Sequence, residues 1–228
     1  MRRVFALTAI LTILGTANAH AEDTLSPLHF QSQGPLGTID KAAAQRGYEV
    51  YKSVCAGCHS LGQVHYRDLE ALGLTPAQAA GEALAAGGTL NSPIKGAAPL
   101  NMGGAIPPDL SSIAAQRPDG PLYIYNYLTG FGPVPAGVTL LPGHYFNAAF
   151  PGGQTAMPDV LHDGAVTYKD GVQPTKAQEA ADVAEFLAWA ADPNLDARHQ
   201  IGFRAVFFFA FLTIIAIASK RKVWRTQA

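Results

Sequence analysis

The stretch Cys55-Ala56-Gly57-Cys58-His59 constrains this chain more than any other. It reads C-x-x-C-H, the pattern of covalent c-type haem attachment. Two thiols three positions apart can each form a thioether to one haem vinyl group. His59 then lies under the iron as the proximal axial ligand. Cys55 and Cys58 are the only 2 cysteines in 228 residues, so nothing competes for them. A structural zinc site needs further ligands at metal spacing, and a thioredoxin-type pair belongs in a βαβ setting. The chain offers neither, and its fold is expected to wrap a macrocycle.

Two apolar segments flank the region that carries the motif. Residues 1–21 open with Arg2-Arg3 and continue through an apolar run from Val4 to Leu14. Overlapping A-x-A sites follow at Ala17-Asn18-Ala19 and Ala19-His20-Ala21, the organisation of a secretory signal peptide. Export agrees with the haem, which bacteria attach outside the cytoplasmic membrane. The second segment, residues 201–219, spans roughly 28 Å as a helix at about 1.5 Å per residue. That length nearly matches a hydrocarbon core of about 30 Å. Arg204 has to snorkel outward for the span to work. Lys220, Arg221, Lys222, Trp224 and Arg225 then supply a basic stop and an interfacial aromatic, which predicts a cytoplasmic tail over residues 220–228.

The formal net charge of −1 conceals a segregation. All 17 acidic residues lie between Glu22 and Asp196, whereas residues 22–200 hold 9 of the 16 Lys and Arg. The exported domain is therefore acidic. That excludes a nucleic-acid surface and predicts either a basic protein partner or a role in solubility alone.

The exported domain reads as helices separated by long loops. Asp40 is the expected N-cap of a helix running to Val54, with Val50, Tyr51 and Val54 on one face. Thr75-Pro76-Ala77-Gln78 and Thr175-Lys176-Ala177-Gln178 are capping boxes. The second opens a helix over residues 177–191 with an apolar stripe at Val183, Phe186, Leu187 and Ala190. Residues 121–129 predict a short helix ended by Gly130, and Asp170-Gly171 a small hairpin within residues 160–172.

A six-coordinate iron needs a second axial ligand, and its identity separates electron transfer from an open reactive site. Met102, Met157, His65, His144 and His162 are the candidates. Met157 stands in the loop before the last helix of the exported domain, between a flexible Gly152-Gly153 and the rigid Pro158. Chain order favours it over Met102, although most methionines are core filler.

Beyond the haem motif the chain resembles the cytochrome c1 family. The resemblance is carried by Arg46-Gly47-Tyr48-Glu49-Val50-Tyr51, Tyr66-Arg67-Asp68-Leu69, Pro107-Pro108-Asp109-Leu110-Ser111 and Tyr125-Asn126-Tyr127-Leu128-Thr129-Gly130. Tyr145-Phe146-Asn147, Ala156-Met157-Pro158 and Phe186-Leu187-Ala188-Trp189-Ala190-Ala191 continue it in the family's order, followed by the tail anchor. The resemblance implies a mostly α, class I c-type cytochrome-like haem domain (residues 22–200) with long loops, plus one C-terminal transmembrane helix. It implies one haem c held by Cys55 and Cys58, with His59 and Met157 as axial ligands and no catalytic residue. Two departures stand out. The stretch between the haem motif and Pro107 is short, and residues 96–106 lack the Arg expected to neutralise a haem propionate. Lys95, Arg67 and Arg117 are the substitutes.

The resulting expectation is the electron-transfer subunit of a bacterial quinol–cytochrome c oxidoreductase, single-pass in the cytoplasmic membrane with its haem domain in the periplasm. Its partners would be cytochrome b, the Rieske iron–sulfur protein and a basic cytochrome c, in a dimeric complex. Asp68, Glu70, Asp159, Asp163, Glu179, Asp182 and Glu185 are the candidates for steering that acceptor. The alternative is a free-standing anchored cytochrome that shuttles electrons, or a haem with a labile sixth site.

Overall fold

The computed structural model describes residues 28–96 and 105–225. The signal segment at residues 1–21, Met102 and the last three residues of the tail lie outside them. Helix α1 spans Lys41–Ser53, and the Asp40 carboxylate caps it by accepting from Ala42 N at 3.0 Å and Ala43 N at 3.1 Å. The cysteine motif follows at once on a 3-10 turn, Cys55–Gly57. Strand β1 (Leu61–His65) pairs antiparallel with β2 (Pro93–Ile94), and a 3-10 helix at Tyr66–Leu72 plus α2 (Pro76–Ala85) lie between them. Next come α3 (Ile113–Gln116), α4 (Pro121–Thr129), and the antiparallel pair β3 (Tyr145–Phe146) and β4 (Gln154–Thr155). Helix α5 covers Lys176–Ala191 and α6 covers Leu195–Arg225.

The mostly helical, loop-rich architecture is the expected one, with local differences. The capping box at Thr75 is complete, Gln78 Oε1 accepting from Thr75 N at 2.7 Å and Gln78 N donating to the Thr75 hydroxyl at 3.3 Å. At Thr175 only half of it forms. The Thr175 hydroxyl accepts from Gln178 N at 3.2 Å, but the Gln178 amide turns away to donate to Asp182 at 3.1 Å. A buried carboxylate is the stronger acceptor, so it takes the side chain from the exposed cap. No hairpin forms around Asp170-Gly171. Asp170 instead accepts from Val172 N and reaches Arg46 at 3.0 Å, an anchoring that replaces strand pairing. The two small sheets lie elsewhere and have no alternating pattern long enough to be read.

The core is the crossing of α1 on α5. Tyr48 and Tyr51 of α1 meet Phe186 of α5 at ring separations of 5.6 and 5.7 Å, and Trp189 stacks on the far side of Phe186 at 5.6 Å. The helices approach closely because Gly47 has no side chain; a Cβ there would collide with the Asp182 carbonyl and with the Phe186 side chain. Arg46 straps the crossing with a two-pronged pair to Asp182, at 2.9 and 2.8 Å.

Helix α6 rises about 46 Å at about 1.5 Å per residue. Its mean hydropathy reaches 2.3 over the most apolar window, and none of that window is buried. The expected snorkelling position, Arg204, lies within it, and Lys222 and Arg225 stand in its last turn. Its first turn is tied to the chain before α1: Asp196 accepts from Ile39 N at 3.0 Å, and the His199 imidazole donates to the Gly37 carbonyl at 2.7 Å.

Candidate haem site

A cavity of about 420 Å³ opens between the cysteine motif, α4, α5 and the loop that follows β4. Cys55, Cys58, His59 and Met157 all line it, so the structure gathers residues 98 positions apart in sequence. Its other walls are mainly apolar, with Val54, Ile106, Leu110, Leu128, Val183 and Leu187 prominent. A flat macrocycle with an apolar face needs such walls, and the donor set matches haem c chemistry. Among the described residues no separate cluster of three or more His, Cys, Asp or Glu could hold a metal ion.

The proximal side is fixed by backbone. The His59 Nδ1 lies 2.7 Å from the Pro108 carbonyl. A carbonyl can only accept, so Nδ1 carries the proton and Nε2 is the nitrogen left to bind iron. The segment Pro107 to Ser111 is held in place by a set of clips. Leu110 N donates to Ser60 O at 2.9 Å, Asp109 accepts from Gly62 N at 2.6 Å, and the Ser111 hydroxyl accepts from Gln63 N at 3.0 Å. Tyr51 donates its hydroxyl to the His59 carbonyl at 2.8 Å, tying the motif back to α1. Burial, reinforced by Cys58, pushes the Cys55 thiol up to about 12. Such a thiol makes a poor thiolate ligand or nucleophile, whereas a thioether at that place has no proton to lose.

The distal side hangs on α4 and the β3–β4 pair. Asn147, fully buried, donates to the Tyr127 carbonyl at 2.7 Å and accepts from Ala149 N at 3.0 Å. Tyr127 and Thr155 share a hydroxyl bond of 2.7 Å, and Met157 N donates to the Thr155 hydroxyl at 3.3 Å. This chain of bonds sets the loop from which Met157 reaches the cavity.

Of the other ligand candidates, His144 also lines the cavity. His65 stands instead at the end of β1, its backbone N–H donating to Asp68 at 2.7 Å. The His162 Nδ1 bonds the Asp163 carbonyl at 3.1 Å, and neither His65 nor His162 is in the cavity wall. Among the described residues Arg117 is the one Lys or Arg in that wall. Its guanidinium lies over the Tyr123 ring at 5.3 Å, with Tyr123 also in the lining. Arg67 bonds Asn91 at 3.0 Å, away from the cavity, so of the three propionate candidates the geometry retains Arg117. Sequence alone could not rank them, because Arg117 comes after the Pro-Pro-Asp segment rather than before it.

The acidic candidates divide in a way the sequence did not foretell. Glu179, Asp182 and Glu185 are buried, at 0, 1 and 2% exposure, and cannot form a docking face. Asp182 binds Arg46. Glu185 accepts from the Ser32 hydroxyl at 2.8 Å and Asp40 N at 2.9 Å, and Glu179 from Val166 N at 3.0 Å. Burial holds the carboxyls of Glu179 and Glu185 above the usual range. Asp159 remains at the surface but is ion-paired to Lys176 at 2.6 Å.

A two-thiol, imidazole and thioether cavity followed by one long apolar helix defines a c-type haem protein with a single-pass membrane anchor. The chain matches the Cytochrome C1 family over residues 30–96 and 89–227. It is 37% identical to "Cytochrome c1" of Rhodospirillum rubrum, over 98% of this chain and 96% of that protein. "Cytochrome c1 1, heme protein, mitochondrial" of Arabidopsis thaliana is also 37% identical, over 96% of this chain and 79% of its own. A Saccharomyces cerevisiae relative, "Cytochrome c1, heme protein, mitochondrial", is 38% identical over 84% of this chain and 69% of that one. The chain belongs to the cytochrome c1 family.

Proposed function

We propose that this chain is the electron-transfer subunit of a quinol–cytochrome c oxidoreductase, the cytochrome bc1 complex. It receives an electron from the Rieske iron–sulfur protein and hands it to a basic cytochrome c. The convergence of Cys55, Cys58, His59 and Met157 on one apolar cavity carries this reading, and family membership favours it over a free-standing shuttle. When bound, haem c supplies reversible one-electron chemistry.

The chain's own residues supply attachment, orientation and dielectric. Cys55 and Cys58 hold the group covalently. His59 gives a ring orientation pre-set by Pro108, so the donor need not reorganise between redox states. Met157 gives a soft thioether that favours the reduced state. Arg117, stacked on Tyr123, would neutralise propionate charge at the cavity wall. No acid, base or nucleophile is needed, and the chain is an electron carrier within the oxidoreductase rather than its catalytic centre.

The reading extends to topology: residues 1–21 a removed signal, 22–200 the periplasmic domain, 201–219 the bilayer span, 220–228 a cytoplasmic tail, in a dimeric complex with cytochrome b. The test is a mass measurement of covalent haem on the mature chain, joined to the subunit list of the native membrane complex. A chain without a thioether-linked haem, or one that purifies free of cytochrome b, would refute the reading.

A further inference from the structure

His144 stands beside the proposed distal ligand without a role in the function above. The β3–β4 register pairs Tyr145 with Thr155 and Phe146 with Gln154. Continued by one step, it sets His144 opposite Ala156, next along the chain from Met157. Directly opposed residues on antiparallel strands have Cα atoms about 4.5–5.5 Å apart. The His144 side chain is half-buried and, like Met157 and His59, lines the cavity.

Its hydrogen-bond pattern repeats that of His59. The His144 Nδ1 lies 3.3 Å from the Pro142 carbonyl, which can only accept, so Nδ1 is the donor there and Nε2 is the nitrogen outside that bond. A neutral imidazole with Nδ1 bonded to a carbonyl is the ordinary state of a metal-binding histidine. At 3.3 Å this bond is longer than the usual 2.7–3.2 Å, whereas the 2.7 Å bond of His59 is short. The His144 ring is thus held less tightly than that of His59.

We propose that His144 is a reserve distal ligand, its Nε2 taking the sixth iron position whenever the Met157 sulfur is withdrawn. This rests on Met157 being the ligand in the resting protein. The exchange gives up an iron–sulfur bond and forms an iron–nitrogen bond. No electron moves; the iron takes the lone pair of Nε2, and a proton held there is released to solvent. The reserve state keeps the iron six-coordinate and closed to small ligands. It also carries a lower potential than the thioether state, since methionine ligation raises the potential.

The test uses three variants of the full chain in its membrane complex, with carbon monoxide as the probe and optical and electron paramagnetic resonance spectra as readouts. His144→Leu alone should leave spectrum and potential at wild-type values. Met157→Leu should lose the thioether signature and fall in potential, yet stay low-spin and bind no carbon monoxide. Met157→Leu combined with His144→Leu should become high-spin and bind it fully. Carbon monoxide binding by Met157→Leu as complete as in the double variant would overturn the proposal. An unchanged spectrum and potential in Met157→Leu would instead overturn the assignment of Met157. Met157→Ala, which opens space beside His144 rather than filling it, yields the same pair of outcomes should leucine block assembly.

Discussion

Asn147 is the residue through which the distal half of the site stands or falls. It is fully buried, and its amide closes two bonds at once, to the Tyr127 carbonyl at the end of α4 and from Ala149 N in the turn beyond β3. Asn147→Ala leaves both backbone partners without the side chain. A buried polar group stripped of its partner costs about 1–3 kcal/mol, so the loss is about 2–6 kcal/mol. A domain of this kind is stable by about 5–15 kcal/mol, so the change is severe but survivable. The damage is local to one side. The proximal clips from Leu110, Asp109 and Ser111 do not pass through Asn147, and neither do the two cysteines proposed to hold the haem. Met157 N bonds the Thr155 hydroxyl, and that hydroxyl bonds Tyr127, the residue whose carbonyl loses the amide. The variant should therefore retain covalent haem on a denaturing gel while losing the thioether signature on warming well before the protein unfolds. A circular dichroism melt and an optical melt run together make the measurement. Coincident melts at the wild-type temperature would refute the reasoning.

Gly47→Ala would be mildly stabilising in an ordinary helix interior, by about 1 kcal/mol. Here it should destabilise by about 1–3 kcal/mol or more, because the new Cβ meets the Asp182 carbonyl and Phe186; a denaturant midpoint above wild type would contradict this. Asp182→Ala leaves the half-buried Arg46 with one exposed carboxylate partner, Asp170, and should cost about 1–3 kcal/mol, read by the same titration. Glu179 has a folded pKa raised by burial, so its contribution to stability is complete below the unfolded value of about 4.3 and is lost as pH rises through the folded value. Glu179→Gln, which keeps an acceptor for Val166 N, should thus gain on the wild type as pH climbs from about 4.3, and a constant difference from acid to neutral pH would sink the argument. A chain ending at residue 200 keeps Asp196 and His199 and should yield a soluble haem domain, whereas one ending at residue 194 should melt lower by about 1–3 kcal/mol through the orphaned Ile39 N–H; equal melts would show that the first turn of α6 adds nothing.

The parts legible in the sequence are those set by local rules. Asp40 and Thr75 cap helices because side-chain oxygens of those types meet orphan N–H groups wherever a helix starts. Cys55, Cys58 and His59 are legible because haem attachment fixes their spacing. Met157 could be nominated by order along the chain, but only the β3–β4 pair and Asn147 show how it is brought to the cavity. Pro108 was beyond reach altogether. Its function is a carbonyl pointed at an imidazole 49 positions away, and a carbonyl is common to every residue. Arg117 and His144 could be named as candidates but not ranked, since nothing local separates a cavity-wall Arg or His from a surface one.

The three carboxyls of α5 show how composition misleads. Counting charge treats each acid as a surface charge, yet Glu179, Asp182 and Glu185 recur every third residue along a helix buried almost throughout. They face Val166, Arg46 and the start of α1, where they satisfy backbone and guanidinium donors inside the fold. Screening over about 8 Å at physiological salt then matters little to them. Any steering of a basic partner would have to come from acids that remain in water, Glu70 and Asp163 among them, and would be correspondingly salt-sensitive. The acids of the domain thus divide between interior and solvent, and those of α5 fall to the interior because that helix is buried along most of its length.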